Sequence, residues 1–359
     1  MGDCPVSKTT VVISKVSSDG NHLWTTVLDS GIDNGVNGMV PAPDGGVVIA
    51  GYQSTKRSTC TKNFQPRLIR ISGSGDTVWD RFYDVKDSGK IVYNDRFRIE
   101  LGKATAIHTL RNGDYVTVFN NGDILKIDAD GKTLWQKKLD IVSDYWAVTE
   151  DDDGGIVVAG PSLMKLDGAG NLLWQRTYPE NNRSAVKKVD TLDYGQGFLM
   201  LSSIPEPYNQ CIMAISKFDP EGYIVNTTRI HTESTWYSNP ALFKYSDGYL
   251  VYFFDAELQS RNLTGLVKLD SQGNFVNKTA VNISRPLSLT NDNGYLITEV
   301  AGQSVYAVKM NQDLIREWEC KLPEKLPPFQ SSANQIFMTP DGGFVIVYSF
   351  FSDTVDLSK

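Results

Sequence analysis

The sequence predicts an all-β fold of seven repeated units, each built of four short strands. Two observations carry this prediction: a motif that ends in Gly and Trp recurs along the chain, and a tight-turn motif followed by an apolar strand alternates with it. In addition, no segment has a helical apolar period long enough to compete. With 359 residues, 41% hydrophobic and 21% charged, the composition is that of a chain that forms a folded core.

The first motif reads basic, apolar, small or acidic, two variable residues, Gly, three variable residues and Trp. KIDADGKTLW from Lys126 and KLDGAGNLLW from Lys165 are complete copies. The last three copies have lost Gly or Trp but keep the register. The seven copies begin at Lys15, Arg70, Lys126, Lys165, Lys217, Lys268 and Lys309.

The second motif is a turn of the Asp-Gly-Gly type followed by an apolar strand. Its seven copies lie at Asp44, Asn112, Asp153, Tyr194, Asp247, Asn293 and Asp341. Asp-Gly and Asn-Gly between apolar runs are a strong hairpin signal, because both residues tolerate positive φ. In each unit strand A precedes this turn, strand B follows it, strand C ends in the basic residue and its two successors, and strand D carries the Trp. Such units, repeated seven times at intervals of about 50 residues, predict a seven-bladed β-propeller with four antiparallel strands per blade.

The two ends of the chain complement each other. Residues 9–28 supply a C–D hairpin and residues 333–350 supply an A–B hairpin. Together they complete one blade as a 2+2 clasp, which removes the open edges of the ring. We therefore expect a single β-propeller domain over residues 1–359. An open solenoid is the alternative, and the complementary half-blades count against it.

The repeated residues have structural interpretations. Five of the seven Trp residues occupy one repeat position, and we expect each indole to dock against the neighbouring blade. The repeated Asp of strand C is expected to accept hydrogen bonds from its own turn. Asp128, Asp130 and Asp151–Asp153 lack the spacing of a calcium loop and are interpreted as solvated turn carboxylates. The five repeat tryptophans are Trp24, Trp79, Trp135, Trp174 and Trp318.

The run L-D-x-x-G-x-x-x-W resembles the strand C–D segment of quinoprotein-type (PQQ-like) propeller repeats, which have one more residue and a Thr between Asp and Gly. The Asp-Gly-Gly turn with its apolar strand resembles repeats in propellers of archaeal and bacterial surface proteins and lipoproteins. The resemblance covers essentially the whole chain and implies the propeller scaffold. Such families include dehydrogenases, assembly scaffolds and proteins of no known activity, so the resemblance implies no single function.

Few residues suggest chemistry. His22, His108 and His231 fall in three different blades without metal-ligand spacing, so we predict no metal site and no cofactor. There is no nucleophile elbow, P-loop or dinucleotide-binding motif. A net charge of −7 without a Lys/Arg run argues against nucleic acid as a partner. The longest apolar run, Phe344–Phe351, is far shorter than the roughly 20 residues needed for a transmembrane segment.

The chain has four cysteines and no C-x-x-C pair. Cys4 precedes strand C of the closing blade, and Cys60 lies midway along the Gln53–Gln65 connection of the next blade. Both therefore fall on the same face of adjacent blades, and we predict a disulfide between them. The alternative is a free Cys4. A bridge here implies an oxidising compartment.

Five N-x-S/T sequons are candidate N-glycosylation sites, at Asn182, Asn226, Asn262, Asn277 and Asn282. Together with polar connections and the negative net charge, they favour an extracellular or cell-surface protein. A cytoplasmic protein is the alternative.

Connection lengths indicate where a binding site lies. The A–B and C–D turns are tight, whereas every long insertion falls in a B–C or D–A connection, on the opposite face. We call this the long-connection face. Long connections on a rigid scaffold often carry function, so their aromatic residues are predicted to bind a ligand or partner. Packing of the connections onto the blades is the alternative interpretation. The residues are Tyr93, Phe97, Tyr145, Trp146, Tyr178, Tyr208, Trp236 and Tyr237.

The scarcity of His and the missing motifs favour a non-enzymatic propeller. We expect a binding scaffold, at a cell surface or in an envelope, that recognises a protein or a glycan through the long-connection face. The alternative is an enzyme of the quinoprotein, lyase or hydrolase type, with its site at the mouth of the central channel.

Overall fold

The structure is a computed structural model. It describes residues 8–28, 33–56, 62–86, 88, 90–93, 98–178, 185–205, 211–232, 240–245, 247–253, 264–281, 287–301, 304–323 and 331–352. The regular secondary structure of the described residues consists of β-strands joined by turns, with one short 3₁₀ turn at Asp193–Gly195. The all-β class predicted from the repeats is confirmed.

The strands form seven blades of four antiparallel strands each, as predicted for a seven-bladed β-propeller. The closing blade consists of β29 (Ser331–Met338), β30 (Phe344–Ser352), β1 (Lys8–Val16) and β2 (His22–Leu28). Blade 1 consists of β3 (Asp33–Pro41), β4 (Val47–Lys56), β5 (Lys62–Ile71) and β6 (Thr77–Phe82). A separate hairpin, β7 (Ile91–Tyr93) and β8 (Arg98–Glu100), follows it.

The remaining five blades follow in chain order, each with strands A to D. Blade 2 contains β9 (Ala104–Thr109), β10 (Tyr115–Phe119), β11 (Asp123–Ile127) and β12 (Thr133–Lys138). Blade 3 contains β13 (Ala147–Glu150), β14 (Ile156–Ala159), β15 (Leu163–Leu166) and β16 (Leu172–Arg176). Blade 4 contains β17 (Ala185–Thr191), β18 (Phe198–Pro205), β19 (Cys211–Phe218) and β20 (Ile224–Thr232). Blade 5 contains β21 (Ala241–Tyr245), β22 (Gly248–Phe253), β23 (Thr264–Asp270) and β24 (Phe275–Val281), and blade 6 contains β25 (Leu287–Leu289), β26 (Tyr295–Ala301), β27 (Ser304–Met310) and β28 (Arg316–Lys321).

The closing blade joins the two end segments of the described chain. β1 pairs with β30 in antiparallel register, from Lys8 opposite Ser352 to Val16 opposite Phe344. β2 pairs with the other edge of β1, and β29 pairs with β30. The predicted 2+2 clasp is confirmed, and both of its hairpins contribute full-length strands.

The chain divides into two compact units. Unit 1 comprises Met1–Thr109, Asp128–Lys132 and Ser284–Lys359, and unit 2 comprises Leu110–Ile127 and Thr133–Ile283. Within each unit, facing sheets of neighbouring blades bury their apolar side chains against each other. The expectation of one domain over the whole chain stays a prediction.

The C–D turns are held by the acidic or polar residue that follows strand C. Oδ1 of Asp167 accepts hydrogen bonds from the backbone N–H groups of Ala169 and Asn171, at 2.9 and 2.8 Å. Gly170 then adopts a φ of +79°, which favours glycine. The same carboxylate geometry occurs in the turns that begin at Asp128 and Asp270.

Each repeat tryptophan contacts the C–D turn of the blade that follows. Nε1 of Trp24 donates a hydrogen bond of 2.8 Å to the carbonyl oxygen of Gly73. The ring of Trp174 packs against Gly222, where a Cβ atom would lie 2.6 Å from the ring. Because glycine has no Cβ atom, the indole can pack directly on the backbone of this turn. The equivalent hydrogen-bonded pairs are Trp79–Ala129 (2.9 Å), Trp135–Gly168 (3.1 Å) and Trp318–Ser18 (3.1 Å).

In the closing blade and in blades 1, 2, 3 and 6, the basic residue of strand C holds the A–B turn of its own blade. Nζ of Lys165 lies 2.6 Å from Oδ2 of Asp151 and 2.6 Å from Oδ2 of Asp153. Burial lowers the pKa of Lys165, but its hydrogen bonds to the two carboxylates outweigh this effect, so the pKa is raised. The equivalent ion pairs are Lys15–Asp341, Arg70–Asp44 (3.3 Å), Lys126–Asp114 (3.3 Å) and Lys309–Asp292 (2.5 Å).

Candidate functional site

The predicted site residues are described to different extents. Three of the predicted residues are among the described ones and lie in D–A connections of unit 2: Tyr145, Trp146 and Tyr178. Tyr93 lies in strand β7, and its side chain is outside the described residues. The other predicted binding residues and both cysteines of the predicted disulfide are outside the described residues: Phe97, Tyr208, Trp236, Tyr237, Cys4 and Cys60.

Trp146 and Tyr178 pack against blade 3. Trp146 is 3% exposed and Tyr178 is 6% exposed. The hydroxyl group of Tyr178 donates a hydrogen bond to the carbonyl oxygen of Gly160, in the short B–C turn of blade 3. A Cβ atom on Gly160 would lie 2.3 Å from the Trp146 ring. For these two residues the geometry favours the alternative interpretation, in which the aromatic rings pack the connections onto the blade.

Tyr145 is the described aromatic residue that remains half-exposed in this connection. Its backbone N–H donates to Oγ of Ser143, at 3.1 Å, and the N–H of Ser143 donates to the carbonyl oxygen of Asn120, at 2.9 Å. Asn120 also donates from Nδ2 to Asp144, at 2.9 Å. The D–A connection before blade 3 is thus tied to the B–C turn of blade 2, and Tyr145 is held on a rigid support.

Lys187 faces this ring. Its Nζ atom lies 5.1 Å from the centroid of the Tyr145 ring, within the range of a cation–π interaction. Lys187 is the extra residue of a β-bulge in β17: Val186 pairs with Ser202 and Lys188 pairs with Leu201. A bulge frees one residue from the ladder and re-aims its side chain, which is why bulges recur beside functional sites.

The surroundings of Lys187 disfavour its charge. Burial lowers the pKa of its ammonium group, and the negative charge of the Cys211 thiolate, where that thiol ionises, opposes the shift. Cys211 begins β19, and its side chain is buried. The described chain therefore brings together an aromatic ring, a desolvated amine and a thiol at the long-connection face of unit 2. This arrangement can bind an anionic or acidic group beside an aromatic surface.

Unit 1 contains a second lysine–aromatic cluster. Nζ of Lys103 lies 4.6 Å from the Phe64 ring centroid and 5.3 Å from the Tyr52 ring centroid. The two rings meet edge to face, with centroids 4.9 Å apart. Lys103 precedes strand A of blade 2, and the rings lie in strands B and C of blade 1, so this cluster is also on a long-connection face. Sequence reasoning missed both lysines, because neither belongs to a repeated motif.

No group of three His, Cys, Asp or Glu side chains in the described ranges is arranged to hold a metal ion. No helix in that part of the chain is long and apolar enough to cross a membrane.

Two of the five sequons occupy the position of the repeat tryptophan. Asn226 pairs with Lys217 and Asn277 pairs with Lys268, just as Trp174 pairs with Lys165. Both asparagines are exposed on the D strands of blades 4 and 5. Asn182, Asn262 and Asn282 are outside the described residues. Use of the sequons stays a prediction.

The fold is that of a seven-bladed β-propeller, and solved structures of β-propellers resemble it over most of its length. The structure titled "Streptogramin B lyase structure" covers 96% of this chain and 98% of its own, at 14% identity and a TM-score of 0.51. The Dos1 propeller covers 90% of this chain and 85% of its own, at 10% identity and a TM-score of 0.55. The WD40 β-propeller domain of Doa1 covers 90% and 94%, at 11% identity and a TM-score of 0.53.

These likenesses show the fold alone, because the sequences share so few residues. No protein-family model matches the chain, and no curated protein matches its sequence. The resemblance to quinoprotein-type repeats is therefore not confirmed as family membership, whereas the propeller scaffold that it implied is present.

Proposed function

We propose that this protein is a non-enzymatic propeller scaffold that binds a protein partner through the long-connection face of unit 2, at a cell surface or in an envelope. The observation that carries the proposal is the Tyr145–Lys187 pair. Tyrosine is enriched at the anchor points of protein interfaces, where a flat ring buries area at low entropic cost. The hydrogen bonds that fix the Tyr145 connection further reduce the ordering cost of binding.

The fold is suited to such a role. A rigid set of sheets supports connections of variable length, and binding groups concentrate in such connections. Trp146 and Tyr178 fix the connections that carry them to the scaffold, because both side chains are buried against blade 3. In this proposal they position the connection, while Tyr145 makes contact with the partner.

A peptide library tests the proposal. The purified protein is immobilised and used to select binding peptides from a random phage-displayed library, with a glycan array in parallel. We expect selected peptides whose affinity falls at least tenfold with Tyr145→Ala. Leu134→Ala is the matched control, since Leu134 is an exposed apolar residue of β12 at the opposite end of a blade. Peptides that bind Tyr145→Ala as well as wild type would refute the proposed face, and binding to glycans alone would replace a protein partner by a glycan.

The enzymatic alternative is favoured by one observation, the depressed pKa of Lys187 next to the Cys211 thiol. Perturbed amines of this kind occur at catalytic sites as bases or nucleophiles. A screen against panels of esters, lactones and sugar derivatives tests it. Turnover that is lost with Lys187→Gln and kept with Lys188→Gln would support an enzyme in place of a scaffold.

A further inference from the structure

Lys187 differs from Lys165 and Lys309, two lysines of strand C that are buried or semi-buried. Both lie against turn carboxylates: Nζ of Lys165 is within 2.6 Å of two of them, and Nζ of Lys309 is 2.5 Å from Asp292. The hydrogen bonds to these carboxylates raise the pKa of both lysines against the effect of burial. Lys187 has no carboxylate partner among the described residues, and burial lowers its pKa.

An ammonium group that is removed from water without a counter-charge costs free energy. The blade does not require a lysine here. The same place in strand A, four residues before the strand ends, is also bulged in blade 1, and there it carries Asn37. Nδ2 of Asn37 donates a hydrogen bond of 2.7 Å to the carbonyl oxygen of Ala104, so an amide satisfies the bulge within the fold. Lys187 instead extends over Tyr145, which screens only part of its charge.

Resting on the proposed function, we propose that Lys187 binds a carboxylate group of the partner, an Asp or Glu side chain in an acidic peptide segment, beside the ring of Tyr145. An incoming carboxylate would supply the counter-charge that the fold provides to Lys165 and Lys309. A single amine next to a ring matches one carboxylate. Phosphate groups are more often held by several N–H donors or by the two-pronged guanidinium of arginine. Because the chain has a net charge of −7, it does not attract an acidic segment as a whole. The attraction is therefore local to Lys187.

The proposal has a titration signature. The charged groups on the elements around Lys187 include Lys188 on its own strand, and the titratable groups include Tyr145 and the Cys211 thiol. None of these three is a carboxylate. Binding of a carboxylate should therefore raise the pKa of Lys187. At a pH close to the pKa of Lys187 in the free protein, binding should then be accompanied by proton uptake.

The experiment uses the full chain with its lysines labelled for NMR, and three probes: a hexaglutamate peptide, a hexaglutamine peptide and acetate. The Lys187 signal is assigned from its loss in Lys187→Gln. We expect a Lys187 pKa below the ordinary lysine value, which rises on addition of hexaglutamate and not on addition of hexaglutamine. The affinity for hexaglutamate should fall at least tenfold in Lys187→Gln and stay unchanged in Lys188→Gln, the matched control on the same strand.

Three results would overturn the inference. They are a free-state Lys187 pKa at or above the ordinary value, equal hexaglutamate affinity of Lys187→Gln and wild type, and a response to acetate that equals the response to the peptide. The last result would assign the site to small carboxylates. Library peptides that depend on Tyr145 but not on Lys187 would leave the proposed function standing while the carboxylate inference fails.

Discussion

Substitution of Trp79 by alanine tests how the blades of unit 1 are joined. Trp79 is 8% exposed, and its Nε1 atom donates a hydrogen bond of 2.9 Å to the carbonyl oxygen of Ala129. A buried Trp→Ala change costs about 3–5 kcal/mol in lost burial and residual cavity. The exposed turn lets water reach the freed carbonyl group, so we expect a loss near the lower end, about 3 kcal/mol.

Two further variants separate the contributions. Trp79→Phe keeps an aromatic ring and loses the indole N–H, so its cost includes the hydrogen bond, about 0.5–1.5 kcal/mol. Val78→Ala is the control, because Val78 is the adjacent residue on β6 and is 47% exposed; its effect should lie within about 0.5 kcal/mol. Equilibrium unfolding in guanidinium chloride, followed by far-UV circular dichroism, gives the free energies of unfolding. Equal losses for Trp79→Ala and Val78→Ala would refute the role of the indole.

Three other predictions follow from turns and ion pairs. Gly75 and Gly113 both have a positive φ, but only a Cβ atom on Gly75 would meet an indole, that of Trp24, at 2.8 Å. Gly75→Ala should therefore destabilise the protein by at least about 1 kcal/mol more than Gly113→Ala in the same unfolding assay. Lys165→Met should lower the free energy of unfolding by about 3–5 kcal/mol, because it leaves a buried carboxylate without its cation. Arg316→Met, in an exposed ion pair, should lower it by less than about 1 kcal/mol. Equal losses for the two variants would contradict this reasoning. The Lys309 ammonium group holds the pKa of Asp292 at about 2, below its value in the unfolded chain. The stabilisation that this ion pair gives the fold is therefore present above about pH 4 and is lost as the pH falls toward 2. Asp292→Asn should flatten that part of a plot of thermal-unfolding temperature against pH.

The repeats predicted the fold because each marks a local requirement of the backbone. Where the C–D motif keeps its glycine, that glycine occupies a turn with positive φ, as at Gly170 and Gly222. The Trp four residues later covers the following turn, as Trp174 does at Gly222. Such constraints act at short range and recur, so they are visible in sequence. The partners of the strand C lysines were missed although the lysine repeats as regularly, because its carboxylates lie on a different turn of the same blade.

The candidate site could not be predicted in the same way. The aromatic residues of the connections were identified, but their exposure was not, and Trp146 and Tyr178 are buried where Tyr145 is half-exposed. Burial depends on the short B–C turn of blade 3, in which Gly160 leaves room for the Trp146 ring and its carbonyl oxygen accepts the hydrogen bond of Tyr178. The Lys187 bulge is also invisible in sequence, because Lys187 and Lys188 together look like a solvated basic pair.

Departures from the repeat identify positions that serve something other than the common architecture. Every blade has the same four strands, so a residue that differs at an equivalent position is not demanded by the sheet. At the fourth residue before the end of strand A, blade 1 has Asn37, blade 3 has Trp146 and blade 4 has Lys187. The first satisfies its polar group on a neighbouring backbone carbonyl and the second fills space beside Gly160. Lys187 does neither: its amine is desolvated without a carboxylate among the described residues. This cost, which the blade does not recover within its own described contacts, is the ground for our proposal that a carboxylate of a partner binds at Lys187.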